Sequence, residues 1–350
     1  MRKESFGFLI YDVNIDRFYF LHQKDLKNEL DINESRQRII DYLINYIKYN
    51  IECGKYDFEN SNFYLRKPCT VTWEITNKCN LDCCYCFSKN SSSLESNYEL
   101  TNHIIDNIKN AEVMRVNITG GEPLINLEGL FYILKNLSNN KMGIVLSTNG
   151  TMIDRNLAIK ISKYVTAVQI SLDGTQETHD TIKGRDAFNK TIEGINYCIK
   201  NGIYTQVNLI PTKLNKEEII ETISLCEELG VKRFHLFPLV PRGKGSKVYE
   251  TLKLEKMEIE NIYNDCQKTK EKKGWNIGIS LSRRHLSQGS CILIKPNGLV
   301  QSPSYDSNES FDVGELDDFS LLKIWDESKI FSKKNHLIQT NPYLIIRKIQ

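Results

Sequence analysis

Four cysteines lie close together in this chain, at positions 79, 83, 84 and 86. Cys79, Cys83 and Cys86 have the spacing C-x3-C-x2-C. Cys84 directly follows Cys83, so its side chain is expected to point elsewhere. Thiolates are soft ligands that favour iron–sulfur clusters, zinc or cuprous ions over hard cations. This cysteine loop is therefore predicted to bind a soft metal centre.

The number of thiols bears on which metal centre the loop holds. A structural zinc site needs a fourth protein ligand, which usually comes from a second pair of ligands. No CxxC or HxxxH pair follows the loop in the sequence. Three cysteines on a cluster of four irons leave one iron open to a small molecule. We therefore predict a reactive iron–sulfur cluster, with a degenerate zinc loop or an accidental group of thiols as the alternatives.

The loop follows an apolar, β-rich run, and a repeating strand–loop–helix pattern continues from there. Strands are predicted near 70–76, 114–119, 143–148, 166–172, 204–210 and 232–237, and helices near 98–111, 128–138, 154–164, 188–201 and 216–229. Six strands that alternate with helices indicate a parallel sheet with right-handed crossovers. In barrels of this type the chemistry lies at the C-terminal ends of the strands, which is where the cysteine loop falls.

Three further motifs follow the next three predicted strands. They read TGGEP at 119–123, STNG at 147–150 and SLDG at 171–174, and the last is followed by HDTIKGR at 179–185. Two adjacent glycines let a backbone approach a ligand closely, whereas an Asn-Gly pair alone is an ordinary turn. Their order, one after each successive strand, is what makes these motifs informative.

The cysteine loop and these motifs resemble those of radical S-adenosylmethionine (SAM) enzymes over residues 70–240. Cys79, Cys83 and Cys86 match the cluster ligands, and Tyr85 matches the aromatic residue before the last ligand. The resemblance implies an α/β fold with a partial (β/α)6, TIM-like barrel that binds one [4Fe-4S] cluster and SAM. Such a cluster, once reduced, cleaves SAM to methionine and a 5′-deoxyadenosyl radical, which takes a hydrogen atom from the substrate.

The same resemblance implies which residues contact SAM. Glu122 and the Gly121 carbonyl are expected to accept from its amino group. Ser147, Asn149 and Ser171 are expected near its ribose and carboxylate. The full set of expected SAM contacts is Tyr85, Gly120, Gly121, Glu122, Pro123, Ser147, Asn149, Ser171, Lys183, Arg185 and Ile210, the last of them against the adenine.

One position departs from the family pattern. The family has an arginine on the SAM carboxylate where this chain has Lys183, which offers a point charge without the bidentate fork. Arg185, two residues on, is a possible substitute. His179 and Asp180 are interpreted as ordering their own loop. Arg242, in a Pro/Gly-rich turn after the sixth strand, faces either an acidic substrate group or solvent.

The sequence divides into three predicted regions. Residues 1–68, with a hairpin near 5–22 and a helix near 35–48, form a small α+β appendage that either docks a leader peptide or covers the barrel edge. Residues 69–245 form the radical SAM barrel. Residues 246–350 resemble a reduced SPASM or twitch extension, the C-terminal addition of one radical SAM group.

The C-terminal region keeps the pattern of that extension without its metal ligands. Its hairpin sequence at 291–300 matches, but Pro303 stands where the family has a cysteine, and Glu315 replaces an asparagine. Cys291 alone cannot carry a cluster, because a cluster needs several thiolates. We therefore predict a single cluster, and a truncated reading frame remains an alternative explanation.

The composition of the chain argues against several classes of protein. The 46 basic and 44 acidic residues leave a net charge of +2, which argues against nucleic-acid binding driven by bulk charge. No apolar run is long enough for a signal peptide or a membrane span. Ten cysteines without an export signal indicate reduced thiols or metal ligands rather than disulfides, so a cytoplasmic location is expected.

The predicted substrate follows from the SPASM resemblance, since such enzymes mostly modify peptides or proteins. The leading hypothesis is maturation of a ribosomally made peptide (RiPP) by crosslinking or epimerisation, with an electron donor such as flavodoxin or ferredoxin. Cys291 is either a hydrogen donor for epimerisation or a buried structural cysteine. The alternatives are a sulfatase-maturase-like or cofactor-biosynthesis radical SAM enzyme, and a non-catalytic iron–sulfur or zinc protein that binds a peptide.

Overall fold

A computed structural model of the chain describes residues 2–4, 7–12, 17–22, 67–88, 95–139, 142–282, 291–302, 311–316 and 320–328. The helix predicted near 35–48 lies outside the described residues, as does Pro303. No helix in these ranges is both long and apolar enough to cross a membrane.

One large twisted sheet organises the fold. Its parallel strands are β4 (Thr70–Glu74), β5 (Arg115–Thr119), β6 (Gly143–Thr148), β7 (Ala167–Ser171), β8 (Tyr204–Leu209), β9 (Arg233–Leu236) and β10 (Gly278–Leu281), paired in chain order. The six predicted strands are all present, which confirms the α/β class and the partial parallel barrel. The seventh strand, β10, escaped prediction because its four residues carry too little hydrophobic pattern.

Helices connect these strands and cover the outer face of the sheet. They are α1 (Tyr98–Asn110), α2 (Leu127–Ser138), α3 (Arg155–Ile161), α4 (Gln176–Lys183), α5 (Ala187–Lys200), α6 (Ile219–Leu229), α7 (Gly245–Leu252) and α8 (Lys256–Lys273). Asn97, Asn126 and Asp154 cap the first three by accepting a hydrogen bond from the backbone N–H three residues on. Side-chain caps of this kind satisfy N–H groups that the helix leaves unpaired.

The two faces of the sheet differ because side chains alternate along each strand. Val71, Trp73, Val116 and Ile118 have no exposed surface and belong to the main hydrophobic core, which the helices cover. Their neighbours along the strands, such as Asn117, point to the opposite, inner face. The fold therefore buries its apolar residues outside the barrel wall and leaves polar residues to line the inner face.

The N-terminal region forms a small antiparallel sheet of three strands. These are β1 (Arg2–Glu4), β2 (Gly7–Asp12) and β3 (Arg17–His22), so the predicted hairpin is present. Tyr11 packs against the barrel core. A Cβ atom at Gly143 would lie 2.1 Å from Cε1 of the Tyr11 ring, so this glycine makes room for the contact. Leader-peptide binding by this region stays a prediction.

The C-terminal region extends the same sheet. β11 (Cys291–Ile294) pairs in parallel with β4, and β12 (Leu299–Ser302) and β13 (Phe311–Glu315) follow in antiparallel order before α9 (Leu321–Glu327). Lys295 forms an ion pair with the buried Glu74 at the end of β4. His103 Nε2 lies 2.8 Å from the Leu316 carbonyl. The extension is therefore joined to the first strand and first helix of the barrel.

Candidate functional site

The cysteine loop begins just beyond β4, at the C-terminal edge of the parallel strands. Burial raises the pKa of the Cys79 thiol, and the charges of Cys83 and Cys86 raise it further. Burial also raises the pKa of Cys83; Lys183 opposes that shift, and Cys86 adds to it. The thiols of Cys79, Cys83 and Cys86 are thus within electrostatic reach of one another. A metal centre bound by these thiols has to displace their protons, since the thiolate is the ligand.

The spacing of the thiols tests what they can hold. Within the described ranges, no three His, Cys, Asp or Glu side chains converge closely enough to hold a single metal ion. A structural zinc site needs four protein ligands, and the described residues gather no such set at the loop. The cysteines of a cubane bind different irons and lie farther apart. Three soft donors on one short loop therefore match the donor chemistry of a [4Fe-4S] cluster.

Cys84 makes contacts of its own beside this set. Its backbone N–H donates to the carbonyl oxygen of Ile182 at 3.2 Å. It also packs against a small apolar cluster of Tyr85, Ile182 and Leu239. Cys84 therefore anchors the loop to the end of α4.

The two glycines of the TGGEP motif hold the start of the cysteine loop. The Gly121 N–H donates to the Thr76 carbonyl at 2.7 Å. A Cβ atom would lie 2.1 Å from the Lys78 carbonyl oxygen at Gly121, and 2.2 Å from the Thr76 carbonyl oxygen at Gly120. The sequence suggested that these glycines let the backbone approach a ligand, whereas the structure shows them approaching the segment that leads into Cys79.

Glu122 joins this motif to the next one. Its carboxylate accepts hydrogen bonds from the Leu124 N–H at 3.0 Å, the Thr148 hydroxyl at 2.8 Å and the Asn149 N–H at 2.8 Å. Burial raises the pKa of Glu122, and these hydrogen bonds oppose that shift. The side chain has no exposed surface, so the observed role is to connect two loops. Its contact with the SAM amino group stays a prediction.

The turn after β9 holds the other end of the cysteine loop. Gly243 adopts a φ of +55°, and a Cβ atom there would lie 2.4 Å from the Cys86 carbonyl oxygen. The Lys244 N–H donates to the same carbonyl at 2.9 Å. The Arg242 guanidinium stacks 4.9 Å from the centre of the Phe87 ring. Arg242 thus lies against the cysteine loop, and its contact with substrate stays a prediction.

Lys183 pairs with Asp173 at the side of the loop. Lys183 Nζ lies 2.7 Å from Asp173 Oδ2, with side-chain exposures of 10% and 2%. It also lies 5.9 Å from the centre of the Tyr85 ring. Asp173 Oδ1 accepts from the Ile210 N–H at 3.0 Å. Arg185, the proposed substitute for the family arginine, is exposed beyond the end of α4.

The pKa values of this pair favour two charged side chains. Burial acts to raise the pKa of Asp173. The charge of Lys183 and the hydrogen bonds that Asp173 accepts hold that pKa below its usual value. Burial acts to lower the pKa of Lys183, but Asp173 and the nearby thiols raise it overall. Each partner therefore stabilises the charge of the other in a buried setting.

His179 and Asp180 both bond within their own part of the chain. His179 Nδ1 accepts from the Asp173 N–H at 3.0 Å, and burial lowers the pKa of His179 to about 4. Asp180 accepts from the Phe188 N–H at 2.8 Å. The two side chains therefore order the segment that carries Asp173 and Lys183.

The other predicted SAM contacts lie around the same strand ends. The Asn149 side chain donates to Asn80 Oδ1 at 2.8 Å, which ties the STNG motif to the cysteine loop. Ser171 is half-buried at the end of β7. Pro123 is buried. Ile210 packs on the apolar cluster that contains Tyr85. The structure therefore gathers the predicted residues at one edge, and their contacts with SAM stay predictions.

A row of hydrogen-bonded polar side chains crosses the inner face, one from each of six strands. We call it the lumen ladder, and its members are Asn117, Ser147, Gln169, Gln206, His235 and Ser280. The Ser147 hydroxyl donates to Asn117 Oδ1 at 2.8 Å, and Gln169 Nε2 donates to Gln206 Oε1 at 3.1 Å. His235 lies 2.9 Å from Gln206 Oε1 and 2.6 Å from Ser280 Oγ.

Sequence reasoning did not find the lumen ladder. Ser147 was the one member it singled out, as a SAM contact. The other members are single polar residues within apolar strands, separated by roughly one strand–helix unit each. The available signal was the alternation of polar and apolar residues along every strand, which predicts a polar inner face but not the hydrogen bonds across it.

The comparisons with known proteins agree with this geometry. A sequence profile described as "Radical SAM superfamily" matches residues 73–274. The chain is 33% identical over 208 residues to the AdoMet-dependent heme synthase of Methanosarcina barkeri, covering 57% of this chain and 59% of that protein. It is 28% identical over 292 residues to the mycofactocin maturase MftC of Mycolicibacterium smegmatis, covering 76% of this chain and 72% of that protein.

Similar solved structures share the fold across most of the chain. The SAM-bound crystal structure of SuiB from Streptococcus suis aligns with a TM-score of 0.71 at 16% identity, covering 95% of this chain and 88% of that one. At this identity the likeness shows the fold alone. The chain spans 59% and 58% of the length of the first two curated relatives it matches.

Proposed function

We propose that this chain, which belongs to the radical SAM superfamily and uses a [4Fe-4S] cluster and SAM, acts on a peptide. The specific role would be RiPP maturation, by crosslinking or epimerisation. When bound and reduced, the cluster supplies the electron that breaks the C5′–S bond of SAM, giving methionine and a 5′-deoxyadenosyl radical that abstracts hydrogen from the substrate.

The residues of this chain would supply ligands, position and exclusion of water. Cys79, Cys83 and Cys86 would bind three irons and leave the fourth to SAM. The glycine contacts at both ends of the loop fix the three sulfurs relative to the strand ends. The apolar cluster of Tyr85, Ile182 and Leu239 would keep water away from one side of the loop. An external donor, such as flavodoxin or ferredoxin, would supply the electron.

The lumen ladder is the observation that supports a peptide over a tetrapyrrole. Three of its six members, Asn117, Gln169 and Gln206, are amides, whose donors and acceptors match those of a peptide. None of the six is a Lys or Arg, the residues that pair best with carboxylates, so the ladder offers no partner for the carboxylates of a tetrapyrrole.

The peptide proposal draws further support from related proteins. Of the two curated relatives described above, mycofactocin maturase covers the larger share of this chain. Solved structures of the same fold contain bound peptides, namely SuiB with its precursor peptide SuiA and anSMEcpe with a Kp18Cys peptide. In the N-terminal sheet β1 and β3 are the outer strands, and a leader peptide would add a strand beside one of them.

Cofactor biosynthesis is the second candidate function. The heme synthase of Methanosarcina barkeri has the higher identity, although over a shorter stretch. The Fe-coproporphyrin III synthase of the same organism is 30% identical over 235 residues. A tetrapyrrole substrate is therefore the direct competitor of a peptide in any test.

The experiment compares these two substrate classes on one reconstituted preparation. The protein receives SAM, dithionite and either the peptides encoded by short reading frames beside its gene or iron coproporphyrin III. We expect one peptide to stimulate formation of 5′-deoxyadenosine and to lose two hydrogen atoms, or to gain one deuterium from D2O. Decarboxylation of the porphyrin, with no peptide changed, would overturn the proposal in favour of cofactor biosynthesis.

A further inference from the structure

A buried ion pair lies beside the cluster ligands, and the proposed mechanism gives it no role. The Lys183 and Asp173 side chains are 10% and 2% exposed. A second pair, between Lys244 of the turn after β9 and Asp82 of the cysteine loop, is 31% and 67% exposed. Burying two charges carries a desolvation cost that their attraction often only balances. The desolvation cost of the buried pair therefore needs an explanation, whereas the exposed pair carries little such cost.

The position of Lys183 relative to the cysteine loop is fixed by contacts on two sides. The carbonyl of Ile182 accepts from the Cys84 N–H at 3.2 Å, so the last turn of α4 abuts the loop. Lys183 Nζ also lies 5.9 Å from the ring centre of Tyr85, the residue between Cys84 and the last ligand. The ammonium group is thus held beside the cysteine loop by Asp173 and by the packing of α4 against that loop.

Both charges of the pair act on the thiols of the cysteine loop. The charge of Lys183 affects the pKa of Cys83 more than the charge of Asp173 does. At Cys84, which is not a predicted ligand, the order is reversed. The charge of Lys183 therefore acts on the ligand Cys83, beside the contact of its ammonium group with the Tyr85 ring.

We infer that Lys183, held in place by Asp173, sets a positive charge beside the Cys83 thiolate and raises the reduction potential of the cluster bound there. The step affected is transfer of one electron from the external donor to the cluster, with no bond made or broken. A nearby positive charge favours the more negative, reduced state. Burial keeps the effect from being screened by water and salt.

This inference rests on the cluster site of the proposed function, and it assigns Lys183 a different task from the one its family position implies. As a SAM ligand, Lys183 would change SAM affinity and leave the potential of the SAM-free cluster unchanged. As a purely structural residue, it would change stability and cluster content alone. A potential measured without SAM separates the three roles.

The test uses Lys183→Met, with Lys183→Arg to keep the charge and Lys244→Met as the matched control from the exposed pair. Each protein is reconstituted without oxygen, and its iron and sulfide content is measured. The one-electron reduction of the cluster is then followed by EPR in a redox titration without SAM. We expect a clear shift to lower potential in Lys183→Met and values near wild type in the other two proteins.

Each other outcome has a defined meaning. A shift in Lys183→Met no larger than in Lys244→Met, at equal iron content, would overturn the inference, as would weaker SAM binding at unchanged potential. If Lys183→Met and Lys183→Gln both fail to take up iron while Lys183→Arg succeeds, the role is structural and the inference fails. Wild-type protein that binds no iron and sulfide would overturn the proposed function itself.

Discussion

The cysteine loop lies at the C-terminal edge of the parallel strands, whereas the lumen ladder crosses their inner face, and the two are built in different ways. The loop is held by backbone groups of two other loops, at contacts so close that only glycine fits, as at Gly121 and Gly243. The ladder is held by side chains, with Gln206 at its centre. A region built on backbone contacts tolerates no added atom, whereas one built on side chains exchanges one hydrogen bond for another.

Gly121→Ala tests the loop side of this comparison and has the largest expected effect. The new Cβ atom would lie 2.1 Å from the Lys78 carbonyl oxygen, a backbone atom that cannot rotate away. We expect a loss of about 3 kcal/mol in the free energy of unfolding, as for severe overpacking, together with loss of cluster binding. Thermal unfolding and iron content measure the two effects.

Gly278→Ala is the matched control for that change. The nearest atom to its new Cβ would be the Cγ of the flexible Arg233 side chain, at 3.3 Å, so we expect wild-type iron content and little change in stability. A Gly121→Ala protein that binds iron as well as this control would show that the close contact does not hold the loop.

The pH dependence of stability tests the segment that carries Lys183. The pKa of His179 is about 4 in the folded protein, against about 6.5 when unfolded. Between these values the unfolded chain binds a proton that the folded protein does not. Stability is therefore lost as the pH falls from 6.5 to 4, by about 3 kcal/mol in total.

His179→Asn removes this titration while keeping an acceptor for the Asp173 N–H. Chemical denaturation across that pH range should give a shallower loss of stability for the variant than for wild type, by about one proton. Equal slopes in the two proteins would contradict the assignment of a buried, neutral His179.

Gln206→Leu tests the ladder side. The change leaves Gln169 Nε2 and His235 Nε2 without their acceptor, which costs about 2 kcal/mol. We expect SAM cleavage without substrate to continue near the wild-type rate, whereas modification of the peptide falls sharply. Leu209→Met, on the apolar face of the same strand, is the control and should retain both. Peptide modification at the wild-type rate in Gln206→Leu would separate the ladder from the substrate.

The exposed pair of Lys244 and Asp82 has the smallest expected effect. Lys244→Met breaks the contact with Asp82, and because both side chains are substantially exposed we expect a loss of less than about 1 kcal/mol. Denaturant unfolding at low and high salt measures it. A larger loss, or loss of iron, would mean that the exposed pair contributes to holding the loop.

The place of the cysteine loop after β4 could be predicted from the sequence because its signals are local. The spacing of Cys79, Cys83 and Cys86 and the motifs after each strand lie in short stretches, and six alternating strands and helices specify the sheet. The role of the glycines was harder to predict from the sequence. A glycine shows that a side chain does not fit, but not whether a ligand or another backbone takes the space.

The lumen ladder and the ion pair of Lys183 could not be predicted from the sequence, for a physical reason. The lumen ladder joins residues such as Gln169 and His235 that come from separate strands, so their contact exists only once the sheet is formed. The partner of Lys183 depends on α4, a short polar helix that has no clear apolar stripe. Tertiary packing determines both arrangements.

The most direct test of the central claim compares Cys83→Ala with Cys84→Ala, which remove adjacent thiols of the same loop. Each protein and the wild type are reconstituted, and 5′-deoxyadenosine is measured after adding SAM and dithionite. Wild type and Cys84→Ala should bind the cluster and cleave SAM, while Cys83→Ala should do neither. Cleavage by Cys83→Ala, or an inert wild-type protein with its full complement of iron and sulfide, would contradict the account.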